Sequence, residues 1–156
     1  MGLSAILIVK NEEKNIQGCL ESLRFADEII VVDSGSSDRS MALARPLATQ
    51  VVSRVFDDFG SQKNFALGLT TQDWILSVDA DEHVSEELQQ EIRATITQPD
   101  AHPAYAISRR TNFFERDFTA SGLQDDAPVR LFRREKVFFK NPVHEIVQVD
   151  GKIGKP

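Results

Sequence analysis

The sequence holds one cysteine, Cys19, so no internal disulfide can form, and a reducing, cytoplasmic setting is expected. Long apolar runs are missing too. The longest, Ala5 to Val9 and Ile29 to Val32, fall far short of the roughly 20 residues that cross a bilayer as a helix. The charged string Lys10-Asn11-Glu12-Glu13 directly follows the first run, which is not the layout of a secretory signal. The three histidines, His83, His102 and His144, lack the spacing of a zinc site. No Gly-x-Gly-x-x-Gly follows the first apolar run and no Gly-x-x-x-x-Gly-Lys-Ser/Thr occurs, which disfavours a dinucleotide oxidoreductase and a P-loop NTPase. No Gly-x-Ser-x-Gly nucleophile elbow is present. Basic residues are outnumbered 18 to 24, a formal charge of −6, so a nucleic-acid partner is not expected. There is no internal repeat and no low-complexity segment.

What the chain does have is 156 residues with 41% hydrophobic and 27% charged content, the profile of one globular domain with a real core. Charge is unevenly spread. Residues 1–100 carry a net −9 and residues 101–156 a net +3, with six of the ten phenylalanines in the shorter part. Leu3 to Val9 reads as a strand buried on both faces. Asn11 is a candidate N-cap for a helix whose apolar face is Ile16, Leu20 and Leu23, with Cys19 beside it in a packing role. Glu28 to Asp33 is a second strand, a short helix ends before Pro46, and Gln50 to Val55 is a third strand. Gln62 to Leu69 reads as a helix and Trp74 to Val78 as a fourth strand. Ser85 caps a helix with Leu88, Ile92 and Ile96 facing the core. This alternation predicts an α/β fold, three layers α/β/α around a mostly parallel sheet. Beyond Pro99 the apolar pieces shorten to Tyr105–Ile107, Val129–Phe132, Val137–Phe139 and Ile146–Val149, which predicts antiparallel strands added to the first sheet.

Ligands of such sheets sit beyond the carboxyl ends of the strands. Three polar clusters occupy those ends: Lys10 to Glu13, Asp33 to Asp38 and Asp79 to Glu82. Each alone also reads as a solvated loop with capping residues; together, at one edge, they define a site. The sharpest is Asp79-Ala80-Asp81. Two carboxylates two residues apart share one side of an extended segment, and their repulsion calls for a cation. Oxygen ligands of this kind suit Mg²⁺ or Mn²⁺.

Ala-Ile-Leu-Ile-Val-Lys-Asn-Glu-Glu, Ile-Ile-Val-Val-Asp-Ser-Gly-Ser-Ser-Asp, Gln-Lys-Asn-Phe-Ala-Leu and Trp-Ile-Leu-Ser-Val-Asp-Ala-Asp-Glu, in this order, resemble the family 2 glycosyltransferases of the GT-A (Rossmann-like) fold. Val129-Arg130-Leu131-Phe132-Arg133-Arg134 and Val143-His144-Glu145 resemble the bacterial branch with lipopolysaccharide-core β-1,4-glucosyltransferases. The resemblance implies an inverting, metal-dependent enzyme that moves a hexose, glucose from UDP-glucose first among them, onto a saccharide or lipid-linked saccharide acceptor. It implies that Val9, Asn11 and Glu12 border the nucleotide base and that Asp33 accepts a hydrogen bond from the uracil imide. Lys63 would stand near the nucleotide, Asp79 on the ribose side, and Asp81 on the metal that bridges the diphosphate. Many relatives carry a Glu-Asp pair that would supply the base; none is present here, and Asp126 and Glu145 are the candidates, Asp126 first. The alternative for each is a surface carboxylate paired with Arg130, Arg133 or Arg134.

On this reading residues 1–100 form a nucleotide-sugar part and residues 101–156 an acceptor-side part of one domain. Its arginines, lysines and phenylalanines suit an anionic lipid-linked acceptor or a peripheral place at the inner face of the inner membrane. The ending Gly151 to Pro156, without a helix, is expected of a C-terminally truncated transferase. Two rivals remain at this point: a transferase-like module that binds nucleotide sugar or glycan without turnover, and a nucleotidyltransferase. The latter wants a basic, glycine-rich loop where Lys10-Asn11-Glu12-Glu13 stands.

Overall fold

A computed structural model describes residues 2–99, 101, 104–110, 113–119, 129–134, 137–139, 147–149 and 153–154. The apolar run at the N-terminus lies in the middle of the sheet, where both its faces can be covered. Strands β1 (Leu3–Val9), β2 (Glu28–Asp33), β3 (Gln50–Ser53) and β4 (Trp74–Ser77) are parallel, in the spatial order β3-β2-β1-β4. Between them run α1 (Ile16–Ser22), α2 (Ser40–Ala44) and α3 (Phe59–Leu69), and α4 (Glu86–Ile96) follows β4.

Side chains that alternate along the strands feed two cores. Leu3, Ala5, Leu7, Val9, Ile29 and Val31 pack with Ile16, Cys19 and Leu20 of α1 and with Leu88, Ile92 and Ile96 of α4. Ile6, Ile30, Val32 and Ile75 face the other way, toward Ala66 of α3 and Phe132. Burying an aliphatic side chain of this size contributes about 1.5–3 kcal/mol, so a sheet buried on both faces is strongly held in register. The right end of α4 is as the sequence predicts: the Ser85 hydroxyl accepts from the Leu88 N–H at 3.2 Å, and Glu86 and Glu87 sit in the first turn.

The second part builds outward from β4. β5 (Ala104–Arg110), β6 (Phe113–Thr119), β7 (Val129–Arg133) and β10 (Ile153–Gly154) join the same sheet. β7 is antiparallel to β4, β5 is antiparallel to β7, and β5 pairs in turn with β10 (parallel) and β6 (antiparallel). β8 (Val137–Phe139) and β9 (Val147–Val149) form a separate antiparallel ribbon. The predicted mixed second part is therefore present, with β7 inserted next to the parallel half.

Three local expectations are corrected. Asn11 does not cap α1; the helix begins five residues later behind Asn15, which makes no side-chain cap bond. Asn11 instead takes a left-handed backbone (φ 54°), a conformation that asparagine tolerates better than most residues. β3 stops at Ser53 and α3 starts at Phe59, earlier than Gln62, because Asp58 caps it: its carboxylate accepts from the Ser61 N–H at 2.6 Å and the Ser61 hydroxyl at 3.1 Å.

The strand order fixes where a ligand can go. The chain steps from β1 to β2 and β3 on one side, then crosses to β4 on the other side of β1. The crevice at this switch point opens beyond the carboxyl ends of β1 and β4. Among the described residues no helix is long and apolar enough to cross a membrane.

Candidate active site

A cleft of about 510 Å³ opens at that edge. Ile8, Val9, Lys10 and Glu12 line it from the end of β1, and Ser34 from the end of β2. Phe56 and Phe59 contribute from the β3–α3 connection, and Asp79, Ala80 and Asp81 from the end of β4.

The loops after β1 and β2 are fastened to each other. Asp33, 1% exposed, organises its own loop: the Gly35 and Ser36 N–H groups donate to Oδ2 at 2.9 and 2.8 Å, and the Ser36 hydroxyl donates to Oδ1 at 2.6 Å. Gly35 supplies the positive φ (110°) that this tight return needs. Across the gap, the Asn11 N–H donates to Ser36 Oγ at 2.8 Å and the Ser37 N–H donates to Asn11 Oδ1 at 2.8 Å. The Glu12 N–H donates to Ser40 Oγ at 2.7 Å and the Glu13 N–H to Asp38 Oδ2 at 3.2 Å. The Ser40 hydroxyl, followed by backbone N–H groups, holds the Asp38 carboxyl below the usual carboxylate range. These serines and carboxylates thus fix the wall on which Val9 and Glu12 stand.

The turn after β4 is held from beneath. Glu82 is 2% exposed and accepts from the Asp79 N–H at 2.8 Å. Arg130, 5% exposed, reaches across from β7. Its Nη2 donates to Asp79 Oδ2 at 3.3 Å and to Glu82 Oε2 at 3.5 Å. Its Nη1 lies 3.4 Å from Glu82 Oε1 and donates to the Ser77 carbonyl at 3.3 Å. From α1, the Cys19 thiol donates to the Asp79 carbonyl at 3.5 Å. Burial pushes that thiol well above its ordinary range, and the negative charges of Glu82, Asp79 and Asp81 push it further. Gly18 of α1 faces the His83 ring: a Cβ there would lie 2.6 Å from His83 Cε1.

Three carboxylates against one guanidinium leave a formal −2 on residues 79–82 and Arg130, which matches one divalent cation. Asp79 is turned toward Arg130, whereas Asp81 is exposed and lines the cleft. Among the described residues no group of three His, Cys, Asp or Glu side chains converges as a closed metal cage. The hard carboxylate oxygens of Asp79 and Asp81 are of the type that Mg²⁺ or Mn²⁺ takes, with its other positions on water and phosphate.

Of the residues singled out from the sequence, Val9, Glu12, Asp79 and Asp81 line the cleft directly. Asn11 and Asp33 belong to its wall through the hydrogen bonds above. Lys63 is buried on α3 and does not line the cleft. Asp126, Glu145 and His144 lie outside the described residues. Arg133 places its guanidinium 4.8 Å from the Trp74 ring centre, and Arg134 Nε donates to Thr70 Oγ1 at 2.9 Å. Sequence reasoning missed the partnership of Glu82 with Arg130 and the aromatic pair Phe56 and Phe59. One signal was available for the first: an arginine flanked by Val129, Leu131 and Phe132 in a strand joined to a parallel core needs a carboxylate inside.

A mostly parallel sheet between helices, with its crevice at the β1/β4 switch point, is the GT-A glycosyltransferase fold. The crystal structure of S. aureus TarS residues 1–349 shares this fold, with a TM-score of 0.62 at 20% identity over 86% of this chain and 47% of that one. Residues 4–148 match the model of glycosyl transferase family 2, and the chain belongs to that family. An "uncharacterized glycosyltransferase" of Rickettsia bellii is 41% identical over 108 residues, 67% of this chain and 37% of the relative. The lipopolysaccharide core biosynthesis glycosyltransferase LpsC of Rhizobium meliloti is 30% identical over 159 residues, 97% of this chain and 59% of its own length. TarS 1–349 in complex with UDP-GlcNAc superimposes with a TM-score of 0.57 at 26% identity over 67% of this chain and 33% of that one. The chain thus spans 37% and 59% of the length of these two curated relatives.

Proposed function

We propose that this chain forms the donor-binding domain of an inverting, metal-dependent hexosyltransferase. The donor is a UDP-sugar, UDP-glucose first, and the acceptor a saccharide or lipid-linked saccharide of the lipopolysaccharide core. The observation that carries the reading is the cleft at the switch point, with Asp81 exposed on one side and the loop organised by Asp33 forming the other. The name of LpsC supports the acceptor class, and the UDP-GlcNAc held by TarS supports a UDP-sugar donor.

In this reading Asp81 holds a Mg²⁺ or Mn²⁺ ion. Bound there, the metal offsets the charge that the departing diphosphate gains. Asp79, tethered by Arg130, meets the ribose side of the nucleotide. Val9, Asn11, Glu12 and Asp33 shape the base side, and Lys63 on α3 stands near the nucleotide. Asp126, with Glu145 next, is the proposed base that takes the acceptor hydroxyl proton. The net positive charge of residues 101–156 supports an acceptor or membrane surface of negative charge, and with it a cytoplasmic, peripheral position at the inner face of the inner membrane.

Titration calorimetry with UDP tests the donor site. Wild type is expected to bind UDP more tightly with Mn²⁺ than without it, and Asp81→Asn to lose that difference. Equal affinity of wild type and Asp81→Asn under both conditions refutes the metal assignment. Release of UDP from UDP-glucose but not from other nucleotide sugars, on adding core oligosaccharide, tests the donor and the acceptor.

A further inference from the structure

Phe56 and Phe59 are 39% and 45% exposed, two of the three exposed large hydrophobics among the described residues, and both line the cleft. Their ring centres are 4.9 Å apart at an interplanar angle of 73°, an edge-to-face pair. Large aromatic rings are normally withdrawn from water, and the same rings are the favoured partners of flat ligands.

The backbone that carries them is braced by polar bonds. Between the rings, Asp58 caps α3 through Ser61. Before them, Arg54 donates to Asp57 at 3.0 Å and to Gln62 Oε1 at 2.5 Å. The Gln62 amide, fully buried, donates to the Arg54 carbonyl at 3.1 Å and to Ser34 Oγ at 3.0 Å. The last bond ties the aromatic turn to the residue next to Asp33. The rings are therefore presented from a stiff support, which is the condition for binding without a large ordering cost.

The lining of the cleft differs from flank to flank. Asp79 and Asp81 come from the end of β4 and suit a cation and a diphosphate, whereas Phe56 and Phe59 come from the connection after β3, on the other flank of β1 and β2, and are tied to Ser34 through Gln62. A nucleoside diphosphate is divided in the same way. With the diphosphate at the acidic turn, its base lies toward the rings, and its edge toward the polar loop. We propose that Phe56 and Phe59 are a stacking platform for the nucleobase of the donor. The proposal rests on the UDP-sugar reading above and adds two binding residues to it.

The test is calorimetry on the full chain with Mn²⁺, using UDP and inorganic pyrophosphate as the two probes. Stacking of a base on an aromatic side chain is worth about 5- to 150-fold in affinity. Phe56→Ala/Phe59→Ala should weaken UDP by a factor in that range and leave pyrophosphate within about twofold. Phe59→Trp, which keeps a π-face, should hold UDP near the wild-type affinity. Undiminished UDP binding by the double alanine variant overturns the proposal and leaves the donor reading intact. Parallel loss of UDP and pyrophosphate also overturns it, because the rings would then only shape the cleft. A wild-type chain that binds pyrophosphate but gains nothing from the nucleoside in UDP refutes the donor reading itself.

Discussion

Replacing Arg130 with methionine leaves Glu82 at 2% exposure with its charge and without the guanidinium 3.4 Å away. Loss of one partner from a buried ion pair costs about 3–5 kcal/mol, because the remaining charge stays out of water. Against a typical total of about 5–15 kcal/mol, this is a severe loss. For a chain of this size it corresponds to a fall in Tm of roughly 6–20 °C. Removing both charges together is a different perturbation. Glu82→Gln/Arg130→Met keeps an amide oxygen for the Asp79 N–H and leaves no orphaned charge, so it should recover most of the loss, to within about 1–2 kcal/mol of wild type. The bond from Arg130 to Asp79 adds little to this difference, because Asp79 is 39% exposed and its charge is solvated. Urea denaturation of wild type, both single variants and the double variant yields the coupling energy directly. If Arg130→Met and the double variant are equally destabilised, or if neither departs from wild type by more than about 0.5 kcal/mol, the ion-pair argument is wrong.

Three further outcomes follow from the site. The buried Cys19 thiol should resist iodoacetamide at pH 8 until the chain unfolds. Its folded pKa is raised, so the stability it contributes is complete below the ordinary value near 9 and falls above it by about 1.4 kcal/mol per pH unit; Cys19→Ala should remove that part of the alkaline slope. Asp38 has the opposite sign. Its folded pKa is lowered, so its contribution is present above the ordinary carboxylate value and is lost as pH falls from there through the lowered folded value; Asp38→Asn should flatten part of the acid limb of an unfolding curve. Asn11→Ala removes the acceptor of the Ser37 N–H and puts a Cβ residue without a polar side chain at φ 54°, for a loss of about 1–3 kcal/mol by thermal denaturation. Asn11→Gly relieves the backbone part only and should fall between the two.

The parallel half was readable because its signals are local and repeat. Ala5 to Val9 and Ile29 to Val32 are unbroken apolar runs, and Ser85 with Glu86 and Glu87 marks a helix start by composition alone. The acidic turn was readable for the same reason, since Asp79 and Asp81 are neighbours. What was not readable depends on pairs distant in the chain. Asn11 looked like a cap because it precedes a helical pattern; its actual partners, Ser36 and Ser37, are 25 and 26 residues away. Arg130 looked like a partner for nearby surface carboxylates, and only the insertion of β7 beside β4 brings it under Asp79 and Glu82. Phe56 and Phe59 flank an ordinary capping aspartate, and no pattern in the sequence says that their rings stay outside the core.

The union of β4 with β7 has a consequence for how the protein is made. Glu82 and its arginine are 48 residues apart. At about 5–20 residues per second, a ribosome takes roughly 2–10 s to cross such a gap. During that interval the first four strands can already pair, before Arg130 is available to Asp79 and Glu82. Closure of the carboxylate turn is therefore a late event, and the parallel half of the sheet becomes complete only when the other half is added to it.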